Sequence, residues 1–123
     1  MIGSAVKPNV ELMYNEDHSK IAVLLSCDFG SGWGSWNQHA PNIAVDKRII
    51  EFFLAHEGER IDPMVWDDFL NELGYQDVYV GSNIRHLCVT WVDCCRYWRI
   101  KEYDGKEDIE YLNPDEWNWI PNY

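Results

Sequence analysis

Apolar residues follow three different rhythms along this chain. From Ile21 to Leu25 they run without interruption, the mark of a strand buried on both faces and central in its sheet. A shorter strand over Val10 to Met13 is predicted to precede it, across the polar turn Asn15-Glu16-Asp17-His18-Ser19. The spacing then turns helical. Asp46 is a suitable N-cap for a helix from Lys47 to about Glu57, with Ile49, Ile50, Phe53 and Leu54 on one stripe and Gly58 as the stop. Asp62 and Pro63 open a second helix that Gly74 ends, with a stripe of Val65 or Trp66, Phe69, Leu70 and Leu73. Beyond it the period returns to two. Asp77 to Val80 reads as a short strand, and His86 to Val92 as a longer one with Leu87, Val89 and Trp91 on one face. Asp104-Gly105 is a type I′ turn dipeptide and predicts a hairpin. Its two-residue loop sets Tyr103 opposite Lys106, Ile100 opposite Ile109 and Trp98 opposite Tyr111. On the other face it sets Lys101 opposite Asp108 and Arg99 opposite Glu110, both pairs of opposite charge.

These elements predict one α+β domain over residues 1–123: a mainly antiparallel sheet of five or six strands with two consecutive helices packed on one face. Leu24, Ile49, Phe53, Phe69, Val89, Trp91, Trp98, Ile100 and Ile109 are its expected core. The tail with Trp117 and Trp119 is expected to close the fold as an extended segment.

Composition adds a surplus and a sign. Seven Trp, seven Tyr and four Phe are more aromatic residues than so small a core needs, so some are expected at the surface as a contact site. The net charge of −11 disfavours direct binding of nucleic acid, which needs clustered Lys and Arg, and favours a basic protein surface as partner. Cys27, Cys88, Cys94 and Cys95 fit no zinc spacing, and neither metal nor cofactor is expected. With no secretory leader or membrane span in view, a reduced cytoplasmic setting with free thiols is expected.

Two segments could carry chemistry. The first is Asp28-Phe29-Gly30-Ser31-Gly32-Trp33-Gly34-Ser35-Trp36-Asn37, whose backbone amides could cradle an anion. Trp33 and Trp36 could stack a flat ligand, with Asn37 and His39 as polar contacts. The second is the hairpin, whose register sets Glu102 directly opposite Glu107 on the apolar face, where like charges repel. The pair reads as a hydrated rim, as an ion cluster closed by Arg85 or Arg60, or as a site for a cation, a basic side chain or a shared proton. A functional pair would survive replacement of both residues by Gln with the fold intact. Catalytic constellations are thin. Ser26, His86 and Asp28 assemble a triad only on paper, and Cys88 with His86 carries no thiol-nucleophile signature.

The stretch Phe29-Gly30-Ser31-Gly32-Trp33 with Trp36-Asn37, together with Val89-Thr90-Trp91-Val92 and the hairpin Trp98 to Glu107, resembles a family of small acidic phage and prophage proteins. The chain departs from that pattern at Asp93-Cys94-Cys95, where a proline and glycine would stand. The resemblance implies a setting in a bacterial host cell. It also implies one surface built from Gly30, Gly32, Trp33, Trp36 and Asn37 with Glu102, Tyr103, Asp104 and Glu107. Proteins of that kind resemble inhibitors of host defence, including anti-CRISPR proteins, that occupy basic surfaces. The expected function is therefore a non-enzymatic inhibitor of a host protein. The alternatives are a binder that sequesters a small ligand or nucleotide on the Gly/Trp loop, and a small hydrolase or transferase using the Glu pair.

Overall fold

A computed structural model describes residues 9–79, 86–94 and 96–113. Arg85, Cys95 and the tail bearing Trp117 and Trp119 lie outside the described residues, as does Val80. The elements in chain order are β1 (Lys20–Ser26), α1 (Lys47–Ala55), α2 (Pro63–Glu72), β2 (Leu87–Asp93), β3 (Trp98–Tyr103) and β4 (Lys106–Tyr111), with a single 3₁₀ turn over Gly34–Trp36.

The helices begin where their caps predict. The Asp46 carboxylate accepts the Arg48 N–H at 3.0 Å and that of Asp62 accepts the Met64 N–H at 2.8 Å, with Pro63 in the first turn of α2. Asp46 has a second duty. It is buried, and it also accepts from the Arg48 guanidinium at 2.7 Å and the Tyr75 hydroxyl at 2.7 Å. Burial alone would raise its carboxyl, but the bonds from Arg48 and Tyr75 outweigh that and hold it below the usual carboxylate range. Tyr75 is pushed up, by burial first and then by its bond to Asp46.

The predicted hairpin is observed in register, from Trp98 opposite Tyr111 to Tyr103 opposite Lys106. Arg99 and Glu110 form a 2.6 Å ion pair across it. Strand β1 pairs antiparallel with β2, Lys20 opposite Asp93 through Ser26 opposite Leu87.

The expected sheet of five or six strands is not formed. The strands make two separate two-stranded antiparallel sheets, β1–β2 and β3–β4. The reason lies at the second edge of β1, where every other N–H points away from β2. Ala22 N donates to Met13 O at 2.9 Å, Leu24 N to Ala44 O at 2.8 Å, and Ser26 N to Glu107 Oε1 at 2.8 Å. Three unrelated groups thus satisfy the edge one amide at a time, leaving no ladder for a third strand. The expected strand at Val10 to Met13 does not form; one isolated bridge follows it, Tyr14 opposite Ile21. The expected strand from Asp77 fails for a similar reason. Asp77 turns to φ +54°, and both backbone polar groups of Tyr79 bond to the Asn37 side chain instead of a neighbouring strand.

The core packs β1, both helices and the loop after β1 around Leu24, Ile43, Ile49, Ile50, Leu70 and Val92. Trp33 packs on Trp66 at 5.7 Å, and Phe52 joins Trp66 at 5.6 Å and stacks on Phe69 at 4.1 Å, so aromatic contacts tie the loop to both helices. Of the expected core, Leu24, Ile49, Phe53, Trp98 and Ile100 are buried, while Phe69, Val89 and Ile109 pack half-buried at its margin. Trp91 does not belong to it. It is 42% exposed, and its neighbour Val92, opposite Ile21, is the buried residue at that end of β2. Leu87 and Val89, on the same predicted face as Trp91, do pack half-buried against the core, so the departure is confined to the Trp91 end of the strand.

Candidate functional site

The glycine loop leaves β1 at Cys27 and runs under the tip of the β3–β4 hairpin, where the two make backbone contact. Gly30 N donates to Asp104 O at 2.6 Å. Gly105, buried at φ +89°, approaches so closely that a Cβ there would lie 2.8 Å from Ser31 C and 2.9 Å from Ser31 Cα. A side chain is excluded twice, by space and by backbone conformation. The loop and the hairpin are therefore one structural unit.

Glu107 locks that unit from inside. Its side chain, 2% exposed, points beneath the loop, where Oε1 accepts from Ser26 N at 2.8 Å. Oε2 accepts from Trp33 N at 3.0 Å, from Ser35 N at 2.9 Å and from the Ser35 hydroxyl. Among the described residues its partners are amide and hydroxyl donors, and Arg60 is not one of them. The anion cradle read from the glycines thus exists, and the protein's own carboxylate fills it. Glu102, directly opposite in register, takes another course. It is exposed, and its Oε2 accepts the Gly105 N–H at 2.8 Å, capping the turn. The two carboxylates meet separate sets of donors, which relieves the like-charge conflict without an arginine among the described residues.

The other expected site residues divide in the same way. Trp33 is fully buried, and Trp36 is 39% exposed and lies across Gly32, whose Cβ would meet Trp36 Cδ1 at 2.6 Å. The two rings therefore do not form one platform; Trp36 pairs instead with exposed Tyr79 at 5.3 Å. Asn37 is buried, with Nδ2 donating to Trp33 O at 2.9 Å and Tyr79 O at 3.0 Å while Oδ1 accepts from Tyr79 N at 2.6 Å. It clamps the loop to the segment after α2. His39 Nε2 bonds Gln76 O at 3.0 Å and adds to that clamp.

The outer face of the junction is different. Phe29 and Tyr103, 57% and 78% exposed, meet edge to face at 6.4 Å, with the Lys106 ammonium 5.5 Å from the Phe29 ring centre. Their immediate neighbours in sequence, Asp28, Glu102 and Asp104, are also exposed. Tyr103 and Asp104 were singled out from the sequence, but Phe29, Lys106 and Tyr79 were not. The aromatic surplus was the available signal, without an indication of which rings would stay outside.

The remaining constellations resolve simply. The Ser26 hydroxyl donates to Ser31 O at 2.6 Å and Asp28 O at 3.2 Å, so no triad assembles on it. His86 and Asp28 do approach, with Nε2 3.7 Å from Oδ2. The expected free thiols are corrected at one pair: Cys27 and Cys88 form a disulfide, their Cα atoms 6.0 Å apart. The Cys94 thiol donates to His18 O at 3.3 Å. Among the described residues no group of three or more His, Cys, Asp or Glu side chains is placed to hold a metal ion, and no helix is long and apolar enough to cross a membrane. No known protein family, characterised protein or solved structure matches the chain.

Proposed function

We propose that this protein is a non-enzymatic binding module that offers the outer face of the loop–hairpin junction to a basic surface on a protein partner. The observation that carries this reading is the exposed Phe29–Tyr103 pair on a backbone-braced tip, with the exposed carboxylates Asp28, Glu102 and Asp104 adjoining the two rings in sequence. Large exposed rings on a rigid support lose little conformational freedom on binding and often anchor interfaces. Carboxylates around them steer and orient Lys or Arg side chains, and the chain's net charge of −11 adds to that steering. Lys106 over Phe29 is an internal example of the cation–ring contact that a partner arginine would repeat. In the phage setting implied by the sequence resemblance, the partner would be a host defence protein and occupation of its basic surface would inhibit it.

Trp36 with Tyr79, both exposed at 5.3 Å, supports a second reading in which a flat ligand stacks there. A carboxylate-pair enzyme has less support, because Glu107 already receives four hydrogen bonds.

Pull-downs from bacterial lysate with the wild type and the Phe29→Ala/Tyr103→Ala variant test the first reading. A partner held at low salt, released at high salt and lost with the double variant supports it. Full retention by that variant overturns it, and a co-purified small molecule lost on Trp36→Ala supports the second reading.

A further inference from the structure

We propose that the Cys27–Cys88 disulfide is a thiol-exchange site served by His86 and Asp28, at which a low-molecular-weight thiol of the glutathione class forms a mixed disulfide with Cys88. The inference does not depend on what the hairpin tip binds. Cys27 lies across from His86, whose carbonyl accepts the Cys27 N–H at 2.7 Å. His86 stands just before β2, two residues ahead of Cys88 along the chain. The backbone bond thus sets His86 across from Cys27 and close in sequence to Cys88. Asp28 Oδ2, 3.7 Å from His86 Nε2, stabilises that ring when it is protonated. Access is open as well. Both cysteines are half-buried, and the side chains of His86 and Asp28 are 38% and 61% exposed. A disulfide serving only as a staple needs neither a proton donor nor an approach from solvent, whereas accessible disulfides are the exchangeable ones.

The chemistry balances without a metal or a cofactor. The incoming thiolate attacks Cys88 Sγ, forming a new S–S bond as the Cys27–Cys88 bond breaks. Cys27 departs with the bonding electron pair and takes a proton from the His86 imidazolium, which Asp28 has held in place. A second thiolate attacks the small-thiol sulfur of the mixed disulfide. This releases the oxidised small-thiol dimer and leaves Cys88 to be protonated by solvent. Two small thiols are oxidised and the protein disulfide gains two electrons. Opening the bond removes the covalent tie between the base of the glycine loop and β2.

The test uses the full chain with Cys94→Ser and Cys95→Ser, so that only Cys27 and Cys88 can react. The folded protein is exposed to millimolar reduced glutathione, quenched with an alkylating agent and mapped by mass spectrometry. The expected result is a glutathione adduct on Cys88 formed without denaturant. His86→Gln should slow its appearance on the order of tenfold, below the usual range for a placed general acid because a thiolate is already a fair leaving group. The melting temperature of the oxidised chain should be unchanged, and imidazole added to the buffer should restore the rate to His86→Ala. Asp28→Asn, at an exposed position, should slow the reaction by a smaller factor and carries the test if His86 variants fold poorly. Opening that requires denaturant, an adduct confined to Cys27, or equal rates in wild type and folded variants would each overturn the proposal.

Discussion

The inner and outer halves of the loop–hairpin junction are built from the same materials and use them in opposite ways. Inside, one carboxylate and one indole, Glu107 and Trp33, are removed from water. The carboxylate is surrounded by donors, and the indole is packed on Trp66. Outside, Glu102 and Asp104 with Phe29 and Tyr103 stand in solvent a few residues away along the same hairpin and loop. Residue type does not separate the halves. What separates the two carboxylates is how many donors lie within reach, four for Glu107 against the single Gly105 N–H for Glu102, because a buried carboxylate is tolerable only when its lone pairs are satisfied. The inner half holds the shape, and the outer half is left available for contact.

The largest expected effect comes from treating the two facing glutamates as equals. Glu107→Gln leaves one acceptor oxygen and sets an NH₂ group against N–H donors. It should cost on the order of 3–5 kcal/mol, the loss associated with breaking a buried, hydrogen-bonded charge. Glu102→Gln can still accept the Gly105 N–H in solvent and should change stability by less than about 0.5 kcal/mol. Urea unfolding of the two variants checks the contrast. Equal losses would remove the distinction between the halves. A double Gln variant that folds as well as wild type, the behaviour expected of a functional pair, would contradict the internal role of Glu107.

Two glycines in the same junction give the next effect. Gly105→Ala brings both a left-handed backbone and a clash with the Ser31 backbone, which cannot swing aside as a side chain would. It should cost about 2–3 kcal/mol and loosen the contact between loop and turn. Gly30 has a positive φ but open space around its missing Cβ, so Gly30→Ala should lose only about 1 kcal/mol. Thermal melts read the difference, and a smaller loss at Gly105 would mean that the hairpin tip does not bear on the loop.

What could be read from the chain was local. The hairpin register follows from Asp104-Gly105 and the alternation of apolar and charged residues, and both helix starts follow from Asp46, Asp62 and Pro63. The sheet count could not be read in this way. The second edge of β1 is closed by Met13 O, Ala44 O and Glu107, and a backbone carbonyl looks the same on every residue. The Glu102–Glu107 conflict was visible, as was the amide cradle of the glycine loop. Their mutual solution was hidden by distance, since the amides that receive Glu107 lie 72, 74 and 81 residues away in sequence. Trp91 was missed because alternation fixes which residues share a face but not how far along the strand that face is covered.

Asp46 sharpens the comparison as a second buried carboxylate, satisfied by side chains and one amide instead of a cradle of amides. Its folded-state carboxyl lies below the ordinary value of 3.8, so its contribution is complete above about pH 5 and is lost as pH falls through the folded value. Melting temperature against pH should therefore decline below about pH 4, and less steeply in Asp46→Asn. Tyr75→Phe, which removes one of its donors, should cost about 1 kcal/mol at neutral pH. Acid limbs of equal steepness in wild type and Asp46→Asn would show that this carboxylate gains nothing on folding.

The smallest effect on stability is expected where the effect on binding is greatest. Tyr103 is 78% exposed and its ring touches Phe29 only edge to face, so Tyr103→Ala removes little area already withdrawn from water. Its melting midpoint should move by no more than about 0.5 kcal/mol equivalent, while a captured partner should be held on the order of tenfold or more weakly, as for a single interface anchor. The backbone bond from Gly30 N to Asp104 O does not involve the Tyr103 side chain, so the tip keeps its shape in the variant. A large loss of stability would move Tyr103 to the inner half, and partner binding at wild-type strength would show that the exposed ring is not the anchor. Charge is then separated from ring area by Asp104→Asn, which removes a carboxylate but no aromatic surface. It should weaken capture most at low salt and hardly at high salt, because a rim charge acts mainly through screened, long-range attraction.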